Sequence, residues 1–176
     1  MLRNISGGLV CMAWGLWFGG LGALFLFATR LFAVDRPIAL SAAPILFLVF
    51  ERYQIVLAAA ALMGALVWRI LAKSVRVTVV FWLLAAASVP TALGPIFVTR
   101  RMEELRLAGQ SSSPEFMKLH GISMLVYSGE TLILLAAGLM LPWAMRFPPS
   151  PGTPGEGRGG GPTSISEGER QNENPP

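Results

Sequence analysis

The chain has 176 residues, 53% of them hydrophobic and 14% charged, with a formal net charge of +4, a pI near 10.0 and a mean hydropathy of +0.58. That composition suits one membrane domain with a tail and leaves no room for a large soluble domain; Lys and Arg gather at the ends of apolar runs, as membrane anchors do, so the basic balance does not point to nucleic acid. Cys11 is the only cysteine, which excludes an intramolecular disulfide and a cysteine-based metal cluster within one chain.

Between Arg3 and Arg30 there is no charged residue. A bilayer core of about 30 Å needs roughly 20 apolar residues at 1.5 Å each, so this run predicts a first crossing over about Gly7 to Leu31. It is too long for the apolar region of a signal peptide, about 7 to 15 residues, and small residues in an A-x-A arrangement are missing before Arg30, so a retained anchor is expected. Its centre carries Gly15, Gly19, Gly20 and Gly22 among Trp14, Trp17 and Phe18. Gly15 and Gly19 form a small-xxx-small pair and are the expected helix-packing residues, within the chain rather than across a dimer.

After Asp35 and Arg36, Pro37 is placed to open a helix, because it lacks the N–H that would be unpaired there. Pro37 to Phe50 is apolar but too short to span. We expect a short interfacial helix that leads into a second crossing, from about Tyr53 to Leu71, with Glu51 and Arg52 at the membrane boundary; the alternative is one long second helix. The connection around Lys73, Ser74 and Arg76 is so short that the second and third crossings must form an antiparallel hairpin. The third, over Val77 to Thr99, contains Pro90 and Pro95, each of which frees a carbonyl and tends to kink the helix, with Ser88 and Thr91 on hand to satisfy the backbone. A charged extension from Arg100 to Arg106 follows, in which Arg100 and Glu104 have ion-pair spacing worth about 0.2 to 0.5 kcal/mol. A turn at residues 109–114 leads into a fourth crossing from about Phe116 to Met145.

Beyond Phe147 the composition shifts to Pro, Gly, Ser and Glu, which cannot bury enough apolar surface to offset chain entropy. The expected organisation is therefore all-α: a four-transmembrane-helix bundle over residues 1–147, with a short interfacial helix before the second crossing, and a disordered tail over 148–176. Four crossings place both termini on one side. The positive-inside count does not choose which side, since Arg3, Arg69, Lys73, Arg76 and Arg146 stand against Arg30, Arg36, Arg52, Arg100, Arg101, Arg106 and Lys118.

His120, Ser123, Tyr127 and Glu130 are spaced 3, 4 and 3, which places them within an arc of about 80° on one face of the fourth helix. Such a polar stripe belongs in the bundle interior. Glu130 lies well inside an apolar run, where an acid is costly unless it is protonated, paired or hydrated, and an ionisable residue there is by default a functional-site hypothesis. The competing reading is a structural hydrogen bond to Tyr127 or to the hydroxyls of Ser88 or Thr91. His120, at the helix start, suits a boundary role better than catalysis.

No cofactor or metal site is expected. His120 is the only histidine, which excludes bis-histidine haem in one chain, and the methionines are scattered as ordinary apolar filler. No nucleophile–base–acid set, phosphate loop or paired-carboxylate site is apparent, and Glu130 and His120 lie about 15 Å apart along their helix, too far for joint catalysis; the chain reads as a non-enzyme.

The pieces Trp14-Gly-Leu-Trp-Phe-Gly-Gly, Leu31-Phe32, Phe50-Glu-Arg-Tyr53, Gly94-Pro95 leading to Arg100-Arg101, and Phe116-Met-Lys-Leu-His-Gly-Ile-Ser123 resemble, in order and over about residues 10 to 145, the family related to transmembrane protein 205, known in bacteria as a domain of unknown function. His120-Gly121-x-Ser123 is the most specific piece. The resemblance implies a four-crossing integral membrane domain, multi-pass in the bacterial inner membrane, with no catalytic residue to carry over. Two functions follow as expectations. The first is a non-enzymatic membrane scaffold or trafficking-type protein; the alternative is a small oligomeric transporter or channel that uses the polar face of the fourth helix for a proton or small polar solute. The expected partners are the lipid bilayer and a second copy of the chain or other membrane proteins.

Overall fold

The computed structural model describes residues 2–146, so the expected disordered tail over 148–176 lies outside the described residues. Among the described residues the fold is all-helical: α1 spans Leu2–Val34, α2 Arg36–Ala72, α3 Val75–Gly94, a π-helical turn Pro95–Thr99, α4 Arg100–Leu107 and α5 Pro114–Met145. With α3, the π turn and α4 running on as one rod, Val75–Leu107, the molecule has four helices long and apolar enough to cross a membrane.

Local chemistry sets the ends. Asp35 is extended (φ −147°, ψ 98°) and caps α2, its Oδ1 accepting from the Ile38 N–H at 3.0 Å, with Pro37 in the first turn. Ser113 caps α5 in the same way, accepting from the Phe116 N–H at 3.2 Å, with Pro114 at the first helical position. The connection between α2 and α3 is only Lys73 and Ser74: Lys73 turns left-handed (φ 47°) and its N–H closes α2 on the Arg69 carbonyl.

Residues 36–72 are one helix, so the expected interfacial segment over 37–50 is not a separate element and the long-helix alternative is the one observed. Pro44 removes the hydrogen bond to the carbonyl of Leu40 without ending it. The reason lies in the faces. Glu51 is buried and Arg52 exposed, because one residue is a rotation of about 100°; the pair that resembled a boundary instead points one group at the interior and the other away from it.

Consecutive long helices are antiparallel. Gly7 lies against Trp68, Gly64 against Val10 and Gly20 against Phe50, so numbering rises along α1 as it falls along α2. Thr91 meets Glu130 near the middle of α5 while Arg76 reaches the carbonyls of Trp143 and Arg146 at its end, which fixes α3 against α5. Small residues allow the close approach between α1 and α2: Ala58, Ala61 and Ala65 are buried on α2, and a Cβ at Gly64 would stand 3.1 Å from Val10. Gly15 and Gly19 do not take part. Both are exposed with open space where a side chain would be, because they sit on the face of α1 opposite Ala13 and Trp17; the packing glycines of this helix are Gly7 and Gly20.

The bundle interior is apolar over most of its length, with Val10, Trp17, Ala61, Trp68, Val80, Leu84, Leu134 and Ala137 buried in one cluster. Outside it, α4 is charged. Arg101 bridges Glu104 at 3.1 Å and Glu115 at 2.9 Å, Arg106 holds Glu103 at 2.6 Å, and the expected Arg100–Glu104 pair stands at 3.5 Å.

Candidate functional site: two buried acids on one cavity

Glu130 and Glu51, on α5 and α2, are 1% and 4% exposed. Glu130 sits near the middle of α5, and its Oε1 meets groups from two other helices near their middles: the Trp17 indole N–H donates at 2.9 Å from α1, and the Thr91 hydroxyl stands at 3.0 Å from α3. Thr91 also reaches the Ala87 carbonyl at 3.2 Å. A second tryptophan, Trp14, donates to the Leu134 carbonyl at 2.7 Å and stacks on Phe18, locking α1 to α5 one turn away.

Glu51 lies closer to the charged end. Its Oε1 accepts from the Thr99 hydroxyl and, at 3.4 Å, from the Tyr127 phenol. Thr99 is the last residue of the π turn, and π turns inside helices are rare and frequent at functional sites. Here the sequence accounts for it: Pro90 and Pro95 cannot donate to the carbonyls of Ala86 and Thr91, so the regular ladder of α3 is interrupted twice within two turns.

Between these groups lies a cavity of about 10 Å³, the space of roughly one water molecule. Glu51, Gln54, Thr99, Ser123, Tyr127 and Glu130 are on its wall, together with Pro90, Gly94 and Pro95 of the broken rod. Gln54 is 2% exposed and its Oε1 has no hydrogen-bond partner among the described residues. No cation forms an ion pair with either acid among the described residues; the ion pairs there belong to α4 and the start of α5. No Lys, Arg or His lines the cavity.

The polar stripe of the fourth crossing is thus partly assembled. Ser123, Tyr127 and Glu130 share the cavity, while His120 is exposed and away from it. Of the two hydroxyls expected to answer Glu130, Thr91 does so; Ser88 bonds back to the Leu84 carbonyl at 2.8 Å. The partner of Tyr127 is Glu51 rather than Glu130. Reasoning from sequence missed Glu51, Gln54, Thr99 and the indole of Trp17. A signal for two of them was present: Glu51, Gln54 and Ala58 recur at 3 and 4 residues and fall within about 60° on one helix face, so a helix running through position 51 places both polar groups inward. Nothing local marks Trp17 among five tryptophans. Compared with known proteins, the chain matches no protein-family model, no curated protein and no solved structure.

Proposed function

We propose that this protein is a small, non-enzymatic membrane transporter that handles a proton or a small polar solute at the Glu51–Glu130 cavity and works as an oligomer in the bilayer. One observation carries the reading: two acids are buried in a four-helix membrane bundle, neither in an ion pair among the described residues, on one cavity. Holding an acid at such depth without a compensating charge costs several kcal/mol, and a packed apolar residue would serve the fold better. Retention against that cost is the support for a role in moving charge. The break in the rod between α3 and α4 adds to it, since irregular backbone at membrane depth is tolerated where it lines a cavity.

The resemblance to the family related to transmembrane protein 205, the bacterial inner membrane and a second copy of the chain as partner belong to the same proposal. The competing scaffold reading rests on a different observation. Trp17 and Thr91 both bond one oxygen of Glu130, so the acid also ties α1, α3 and α5 together.

Reconstitution decides between them. In vesicles with an imposed pH gradient and an internal pH dye, the protein is expected to dissipate the gradient, and Glu51→Gln, still folded by its melting transition, is expected to fall to the rate of empty vesicles. A gradient that decays at the empty-vesicle rate with well-folded wild-type protein would reject proton handling.

A further inference from the structure

We infer that the cavity is a site for one dehydrated alkali cation, sodium or potassium, held between the carboxylate of Glu51 and the amide oxygen of Gln54. The inference rests on the transport reading above and names a cargo for it.

The hydrogen inventory leads there. Thr91 has one hydroxyl hydrogen and two oxygens in reach, the Ala87 carbonyl at 3.2 Å and Glu130 Oε1 at 3.0 Å. The shorter contact is the one to Glu130, whose Oε1 accepts both that hydroxyl and the Trp17 indole N–H at 2.9 Å. Glu51 is arranged alike: its Oε1 meets two hydroxyl donors, Thr99 and Tyr127, which suits an oxygen that only accepts. The cavity wall thus carries acidic oxygens from two helices, with no positive side chain facing them.

Gln54 supplies the second, independent observation. Its Oε1 is a buried acceptor with no donor among the described residues, and an orphan of that kind loses its hydration with nothing in return. A single positive ion satisfies both deficits. The polar side-chain atoms on the wall are mainly oxygens, from Glu51, Gln54, Thr99, Ser123, Tyr127 and Glu130, the donor set that hard cations take. The space is that of one water-sized body, which admits an alkali ion stripped of its shell and excludes choline. A divalent ion is disfavoured: among the described residues no three His, Cys, Asp or Glu side chains converge, and a water-sized space leaves no room for the waters such an ion keeps. Helix-interrupted backbone at such a site, here the π turn and its two prolines, is a recurrent way of presenting extra carbonyl oxygen to a monovalent ion.

The test is thermal unfolding of the purified full chain in detergent, in NaCl, KCl or choline chloride at one ionic strength. A ligand that binds only the folded state raises the midpoint with concentration, so NaCl or KCl is expected to raise it by a few degrees over choline, saturably. Glu51→Gln is expected to abolish the difference. Gln54→Leu, which removes the orphan oxygen and keeps an apolar fit, is expected to fold well and also to lose the response, so the result does not depend on one variant's folding. Equal midpoints of the wild type in all three salts would overturn the site, and with a Gln54→Leu variant less stable than wild type would show Gln54 turning its NH₂ onto Glu51. A salt response that survives in both variants would overturn it too. Vesicle flux separates this from the broader reading: alkali-specific stabilisation without proton flux keeps the site and rejects proton handling, whereas proton flux without alkali-specific stabilisation rejects the site alone.

Discussion

Adding one methyl group at Gly138 is expected to destabilise the bundle, while the same change at Gly15 or Gly19 is not. A Cβ at Gly138 would occupy the space of the Trp14 indole, and that ring is not free to swing. Its N–H is bound to the Leu134 carbonyl at 2.7 Å, and its face lies on Phe18 with centroids 5.6 Å apart and planes 9° from parallel. Forcing a methyl into a packed core costs about 1 to 3 kcal/mol, and displacing the indole puts at risk a hydrogen bond worth about 1 kcal/mol. Against this stands the helix preference for Ala over Gly, about 0.8 to 1.0 kcal/mol. The balance for Gly138→Ala is a loss of about 1 to 3 kcal/mol, or roughly 2 to 4 °C per kcal/mol in a chain of this length. Gly15→Ala and Gly19→Ala meet nothing within 4 Å, so only the propensity gain of up to about 1 kcal/mol remains. Melting of the three variants in one detergent checks the set. A Gly138→Ala protein as stable as wild type beside a destabilised Gly15→Ala would refute the packing described here and restore Gly15 and Gly19 as the contact glycines.

The donors to Glu130 offer a graded test: Trp17→Phe leaves its Oε1 one donor short in an apolar core and is expected to cost about 1 to 3 kcal/mol, with Thr91→Val in the same range and Tyr127→Phe, at 3.4 Å from Glu51, costing less than either, all read by denaturant titration in micelles. Asp35→Ala and Ser113→Ala each remove a helix cap and are expected to lose about 1 kcal/mol, more than the same changes to Gly, as measured by melting. On α4, Arg101→Ala is expected to change stability by less than about 1 kcal/mol despite its two ion pairs, because exposed pairs gain little; a larger loss in a thermal melt would show that α4 and the start of α5 dock as a unit.

Four apolar helices were legible because the absence of charge over a bilayer's thickness is a strong signal that few alternatives share. The length of α2 was not, because Glu51-Arg52 looks like the edge of a membrane when charge alone is counted. Only rotation about the helix axis separates the buried acid from the exposed base, and rotation is informative only once the helix is known to continue. The polar stripe on α5 was visible for the same reason that it is real, three polar groups at helical spacing. His120 fits the stripe by angle and leaves it by position along the axis, where the charged α4 end begins. Glycines were the least legible element. A glycine pair at four-residue spacing says that close approach is sterically allowed, but which face is approached depends on partners elsewhere, here Trp68, Phe50 and Trp14.

The cavity sits to one side of the tie between Trp17, Glu130 and Thr91. Toward the α2–α3 turn the interior includes Leu84, Leu134, Ala137 and Leu141, each no more than 3% exposed, and these side chains offer nothing to replace a hydration shell. Toward α4 it is Thr99, Tyr127 and Ser123. An ion entering from the α4 end therefore meets two acids in succession and then an apolar wall, where a bare charge costs several kcal/mol at least. On the transport proposal, a single copy in this conformation binds rather than conducts. Net movement on that proposal requires either a route between copies or a change in the rod at Pro90–Thr99, a stretch whose ladder is already broken and whose last residue holds Glu51. On the cation proposal, an ion that draws Glu51 from Thr99 removes the bond that ties the π turn to α2.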